Sequence, residues 1–267
     1  MTGIERMATL FRTCRAQRRA ALMPYFTLGY PDPSLSLEII MAIAQAGADL
    51  LELGIPFSDP LADGPTIQHS TQVALEQGMC VERALEMTAV LRQRGLTQPL
   101  VLMGYLNPAL AYGLGRFVRD AAQAGADGLI LPDLPLEEAA EAEMLCRNSG
   151  LALVFLASPN TPPDRLKRLG ERTTGFLYLV SLTGVTGARQ TLPPDLSAFV
   201  ERARAVTDKP LAVGFGIATP EQARQVGRLA DGVIVGSALI EVVRQSETPV
   251  AHAARFVSAL RAALAPS

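Results

Sequence analysis

The sequence predicts a single (β/α)8 barrel, the TIM-barrel architecture, with an extra N-terminal helix. Three observations carry that expectation. The chain has 267 residues, which suits one barrel or two smaller domains, and 49% hydrophobic content can fill a large core. Apolar runs of strand length alternate with amphipathic stretches along its whole length. One joint also recurs, as AQAGADLLELG from Ala44, AQAGADGLILPD from Ala122 and GRLADGVIVGS from Gly227. Each reads as a helix end, a turn of small residues with an aspartate, and an apolar strand.

The elements follow in order. Arg6, Arg12, Arg15, Arg18 and Arg19 stand among apolar positions, so about 3–18 reads as an amphipathic surface helix without the apolar core of a secretory signal. Strand-length runs occur at 22–27, 100–103, 151–156, 176–180 and 211–213, and the three joints supply three more, making eight. Helical patterning covers 34–45, 81–94, 116–124, 136–148, 164–171, 195–206, 220–228 and 250–264. The strands are apolar on both faces, as parallel strands are. A doubly wound open sheet is the competing layout, and the lack of a GxGxxG after the first strand disfavours it. No linker-like segment interrupts the pattern, so 1–267 reads as one domain.

Composition removes several classes of function. The formal charge is -2, no basic run occurs and aromatic residues are 5%, which leaves no electrostatic footprint for nucleic acid. No apolar run is long enough to span a membrane. Cys14, Cys80 and Cys146 are odd in number and far apart, so neither a disulfide framework nor a zinc site is expected, and a cytoplasmic location fits. His69 and His252, both in helical segments, have no partner at metal-ligand spacing.

Barrels place their chemistry at the C-terminal ends of the strands. There Glu52 interrupts the apolar second strand, where partial burial would raise its pKa into the range of a general acid-base group. Asp63 and Asp59 follow in the proline-rich loop, both in sequences that also suit ordinary turns. Gly214, Gly216, Gly236 and Ser237 place backbone amides and a hydroxyl beside helix starts after strands seven and eight, a common phosphate site. The loop at 181–194 is polar and carries Thr183, Gly184, Thr186 and Gly187, which suits a lid. Together these features suggest acid-base chemistry on a small phosphorylated substrate, by a lyase, an isomerase or an epimerase. Lys167 and Lys209 are the only lysines and neither ends a strand, so a Schiff-base aldolase is disfavoured. Clustered histidines for a metal-dependent aldolase are lacking.

In order along the chain stand TLGYPD, LELGIPFSDPLADGPTIQ, MGYLNP, LPDLPLEE, YLVSLTGVTGAR and VGFGI. This series resembles the tryptophan synthase α-subunit family across nearly the whole chain. The resemblance implies a carbon-carbon lyase of tryptophan biosynthesis, cleaving indole-3-glycerol phosphate to indole and D-glyceraldehyde 3-phosphate. It implies Glu52 as the acid-base group and Asp63 as the acceptor of the indole N–H. Gly187, Gly216, Gly236 and Ser237, with Phe215 nearby, would hold phosphate, and Thr186 would meet Asp63. Tyr25, Met103, Tyr105, Leu131 and Tyr178 would wall the indole pocket. A pyridoxal-phosphate-dependent β subunit is implied as partner in an α2β2 complex, with Asp59, Asn107 and Pro108 in loops at the contact and no cofactor in this chain. The alternatives are another phosphosugar lyase or isomerase and a non-catalytic regulatory subunit. The pair Glu52 and Asp63 argues against the latter, since a binder needs no general acid.

Overall fold

Alternation of apolar and amphipathic segments produces parallel strands wrapped in helices. The computed structural model describes residues 1–180, 194–214 and 216–265. Its strands are β1 (Ala21–Thr27), β2 (Leu51–Gly54), β3 (Leu100–Met103), β4 (Gly128–Ile130), β5 (Ala152–Val154), β6 (Leu156–Ala157), β7 (Leu177–Val180), β8 (Leu211–Gly214) and β9 (Gly232–Val235). They lie in the order β5-β4-β3-β2-β1-β9-β8-β7-β6. The two ends of that series, β5 and β6, are halves of one chain segment divided at Phe155. Its first half pairs with β4 and its second with β7, so this segment is the seam that closes the barrel. At the break, the Phe155 carbonyl accepts from the Tyr178 amide at 3.0 Å. The Phe155 amide donates to Thr173 Oγ1 at 3.1 Å. The eight expected units are present, and the ninth strand is the divided fifth.

The helices are α1 (Gly3–Ala16), α2 (Pro33–Gln45), α3 (Pro65–Glu76), α4 (Val81–Gln93), α5 (Leu106–Tyr112), α6 (Leu114–Ala124), α7 (Ala140–Asn148), α8 (Pro163–Arg172), α9 (Leu196–Arg204), α10 (Pro220–Gly227), α11 (Ser237–Arg244) and α12 (Pro249–Ala263). Local chemistry sets several boundaries. Asp32 accepts from the Leu35 amide at 2.9 Å and Pro33 opens α2. Thr219 and Gln222 form a reciprocal capping box at α10. Gly125, left-handed at φ 94°, ends α6 and turns the chain back towards β4. Helix α5 is a correction: Asn107 and Pro108, expected in a loop, occupy its first turn.

Every residue of β1 to β5, β8 and β9 is buried, so the sheet has no solvated face. The joint aspartates finish its lower edge. Asp49 accepts from the Leu22 amide at 2.8 Å, Asp127 from Leu100 at 2.8 Å and Asp231 from Leu211 at 2.9 Å. Each therefore satisfies an amide at the start of the strand beside the one it precedes.

Arginines neutralise these carboxylates. Arg19 meets Asp49 at 2.7 Å, Arg6 and Arg92 meet Asp127 at 3.3 and 2.6 Å, and Arg15 and Arg204 meet Asp231 at 3.5 and 2.6 Å. Arg6 and Arg15 belong to α1, which thus lies across the base of the barrel. Met7 of α1 is fully buried there. A Cβ on Gly128 would fall 2.7 Å from Met7 Cε, and one on Gly175 would fall 2.6 Å from its Sδ. The two glycines therefore make the socket that Met7 fills.

Asp127→Ala would leave buried guanidinium and amide groups unpaired, and should cost about 3 kcal/mol or more of unfolding free energy. Arg15, 71% exposed, should cost under about 1 kcal/mol when changed to alanine. Urea denaturation measures both, and equal small losses would show that the aspartate joints do not hold the base.

Candidate active site

At the upper end of β2, among the described residues, one buried side-chain oxygen has no hydrogen-bond partner. Glu52, the second residue of β2, is in register with Tyr25 on one side and Val101 on the other. In register, parallel neighbours face the same way, so Glu52 and Tyr25 share the barrel interior. Glu52 is 1% exposed, and its Oε2 has no hydrogen-bond partner among the described residues. Burial, with a smaller contribution from the Asp63 charge, pushes its pKa up to about 8. At neutral pH Glu52 therefore carries a proton.

Asp63 reaches the same space from the loop between β2 and α3. That loop is stiffened by its prolines and by backbone bonds from the Leu61 amide to Asp59 (2.9 Å) and from the Asp63 amide to Pro60 (3.0 Å). Gln68 ties it to α3 by donating to the Asp63 carbonyl at 2.8 Å. Tyr105 clamps it further: its hydroxyl donates to Asp63 Oδ2 at 3.0 Å and accepts from the Ala62 amide at 3.0 Å. The Tyr105 ring also packs on Phe57, with centroids 5.4 Å apart. Burial raises the Asp63 pKa and the Tyr105 hydrogen bond opposes it, leaving a value of about 6. Two carboxyls on one pocket thus differ in protonation at pH 7.

The pocket between them is lined by Tyr25, Ile67, Met103, Tyr178, Ile217, Ile234 and Ala238, with Gly216, Gly236 and Ser237 at one side. The space between the atoms amounts to about 510 Å³ when the solvent at its open mouth is included. Two strand-end glycines make space for its aromatic walls. A Cβ on Gly54 would lie 2.0 Å from the Tyr25 hydroxyl, and one on Gly214 would lie 2.4 Å from that of Tyr178. Gly236 precedes α11 without a side-chain cap, so the first amides of that helix, from Ser237 on, face the pocket unblocked. Gly216 adopts φ +81°, a conformation that favours glycine.

The structure therefore brings together Glu52, Asp63, Tyr25, Met103, Tyr178, Gly216, Gly236 and Ser237, with Tyr105 behind Asp63. Leu131 is separated from them. Met103 is in register with Ile130, so Ile130 takes the inward direction and Leu131, one residue on, takes the other. It lines a different groove with Leu134, Phe155 and Leu169. Thr186, Gly187 and Phe215 lie outside the described residues, as does the 181–194 loop apart from Pro194. Asp59 and Asn107 are exposed on the same end of the barrel, and Pro108 is half-buried.

Ile67, Ile217, Ile234 and Ala238 were not among the residues expected in the walls. Ile234 was accessible to reasoning, since it stands two residues before Gly236 and so shares its face. Ile67 and Ala238 come from helices, where strand alternation gives no signal. Among the described residues no group of three His, Cys, Asp or Glu side chains is placed to hold a metal ion. Lys167 lies on α8 and Lys209 precedes β8, and neither lines the pocket. No helix among the described residues is long and apolar enough to cross a membrane.

Known proteins share both sequence and architecture with the chain. The family described as "Tryptophan synthase alpha chain" matches residues 11–264. The tryptophan synthase alpha chain of Roseiflexus castenholzii is 53% identical over 97% of this chain and 100% of its own length. A tryptophan synthase structure from Mycobacterium tuberculosis superposes with a TM-score of 0.91 at 38% identity, covering 98% of each chain. The alpha chain from Legionella pneumophila gives 0.90 at 38% identity over 99% of this chain and 97% of its own. With its barrel, its paired carboxyls and these relatives in agreement, the chain belongs to the tryptophan synthase alpha chain family.

Proposed function

We propose that this pocket cleaves indole-3-glycerol phosphate to indole and D-glyceraldehyde 3-phosphate, a retro-aldol reaction. One observation carries the reading: a fully buried carboxyl, Glu52, with an oxygen that has no partner among the described residues, lining a pocket that it shares with Asp63. Protonated Glu52 gives its proton to C3 of the indole, which places positive charge on the ring nitrogen. Asp63, ionised at neutral pH, accepts the ring N–H and stabilises that charge. The Glu52 carboxylate then takes the proton of the hydroxyl on the carbon bonded to C3. Those O–H electrons form the aldehyde C=O, the carbon-carbon bond pair returns to the ring, and Glu52 ends protonated as it began. The ring is the electron sink, so the step needs no lysine imine.

Substrate orientation follows from the two sides of the pocket. Flat apolar and aromatic walls suit indole, and the amides at Gly216, Gly236 and Ser237 suit phosphate at a helix start. Thr186, Gly187 and Phe215 complete that reading as the family resemblance implies. The product indole passes to a β subunit that carries the pyridoxal phosphate, in an α2β2 complex. Its docking face is the pocket end of the barrel, where Leu61 is 95% and Leu110 54% exposed beside Asp59 and Asn107. The decisive assay is indole formation from indole-3-glycerol phosphate, with and without a β subunit.

Glu52→Gln should lower kcat about 10²- to 10⁴-fold with KM changed only a few-fold. The same variant has a stability signature. Glu52 holds a proton up to about pH 8 when folded but loses it near 4.5 when unfolded, so the wild type loses stability as pH rises through that window. Glu52→Gln should abolish the part of this slope that lies above about pH 6, where Asp63 no longer contributes, and melt higher than wild type at pH 8. Full activity or an unchanged slope would remove Glu52 from its role.

The pH profile of kcat/KM should be a bell, rising as Asp63 ionises near 6 and falling as Glu52 ionises near 8. Asp63→Asn should flatten the acidic limb and reduce the rate by less than Glu52→Gln does. A persistent acidic limb would assign it elsewhere. For the docking face, Leu110→Asp should weaken β-subunit binding at least about tenfold by calorimetry, while cleavage by the isolated chain stays at the wild-type rate.

A further inference from the structure

The Tyr25 hydroxyl is anchored by a chain of buried hydroxyls that leads away from the pocket. Ser70 Oγ donates to the Ile67 carbonyl at 2.9 Å, which uses its one proton. At 2.7 Å from Thr27 Oγ1, Ser70 Oγ must therefore accept from Thr27. Thr27, its proton spent, accepts in turn from the Tyr25 hydroxyl at 3.3 Å. Thr27 and Ser70 are both fully buried, so no water competes for these bonds. The direction of the whole chain is thus set by one helix carbonyl of α3.

We propose that Ser70 and Thr27 are positioning residues, which turn the Tyr25 proton towards α3 and present the Tyr25 oxygen to the pocket as an acceptor beside Glu52. The proposal rests on the lyase reading of this pocket. Tyr25 and Glu52 are register partners on adjacent strands. The titratable groups around them among the described residues are Asp63 from the β2–α3 loop, Tyr178 from β7 and, behind Asp63, Tyr105; no Arg, Lys or His among those residues lines the pocket. An oxygen with its lone pairs towards this acidic site disfavours a carboxylate on Glu52. The hydroxyl chain thereby keeps the proton on the group that delivers it to carbon.

Thr27→Val removes the middle acceptor while keeping the shape. The freed Tyr25 hydroxyl can then donate into the pocket and stabilise the Glu52 carboxylate. In the full chain, with indole release from indole-3-glycerol phosphate as readout, the alkaline limb of kcat/KM should move down by about one pH unit. Thr27→Ser should restore it, and in a Tyr25→Phe background Thr27→Val should leave the limb where Tyr25→Phe alone puts it. A Thr27→Val limb coincident with wild type, or a shift that persists without the Tyr25 hydroxyl, would overturn the proposal. Should Thr27→Val not fold, Ser70→Ala reads the same limb, because Thr27 then donates to Tyr25. Wild-type protein that releases no indole, with or without a β subunit, would instead refute the lyase reading itself.

Discussion

A sheet closed on itself has no face for water, and this constraint organises the rest of the molecule. Every residue of most strands is buried, so polar chemistry is confined to the two ends of the barrel. At the base the strand amides of Leu22, Leu100 and Leu211 are matched. Asp49, Asp127 and Asp231 take strand amides, and arginines take the aspartates. At the top the matching is incomplete. Glu52 enters the same apolar interior with one oxygen that has no partner among the described residues, and the proposed acid role rests on that omission.

The two ends thus treat the same functional group in opposite ways. Asp127 is as secluded as Glu52, yet two arginines and a backbone amide compensate its charge. Glu52 has a second carboxyl for a neighbour and no cation among the described residues, so burial and like charge act together to keep it neutral. Asp63 differs because it sits on a half-exposed loop and receives the Tyr105 hydroxyl. One scaffold therefore yields an acid and an anion from two carboxyls by seclusion and by donor placement.

The sequence made the repeating units, the parallel class and both acids legible, because apolar periodicity and a charge inside an apolar strand are local signals. Its limits were those of direction and distance. Leu131 sits one residue out of phase with the inward face, which only the register of Met103 with Ile130 reveals. Asn107 and Pro108 read as loop, since the short α5 has little pattern of its own, but they begin a helix. The recurring aspartates looked like turn residues, and their bonds to strands and arginines far along the chain have no local signature. The bond of the Tyr25 hydroxyl to Thr27, and through it to Ser70, 45 positions away on a helix, likewise has no local signature.

The N-terminal helix was read as a surface addition, but Met7 fills the base socket and its arginines reach Asp127 and Asp231. The contact between Arg15 and Asp231 spans 216 positions of sequence. Helix α1 is thus made long before the last strand, and its contact with Asp231 can form only once that strand has emerged. Such long loop closures slow folding, so the base of the barrel is a late event in the history of each molecule.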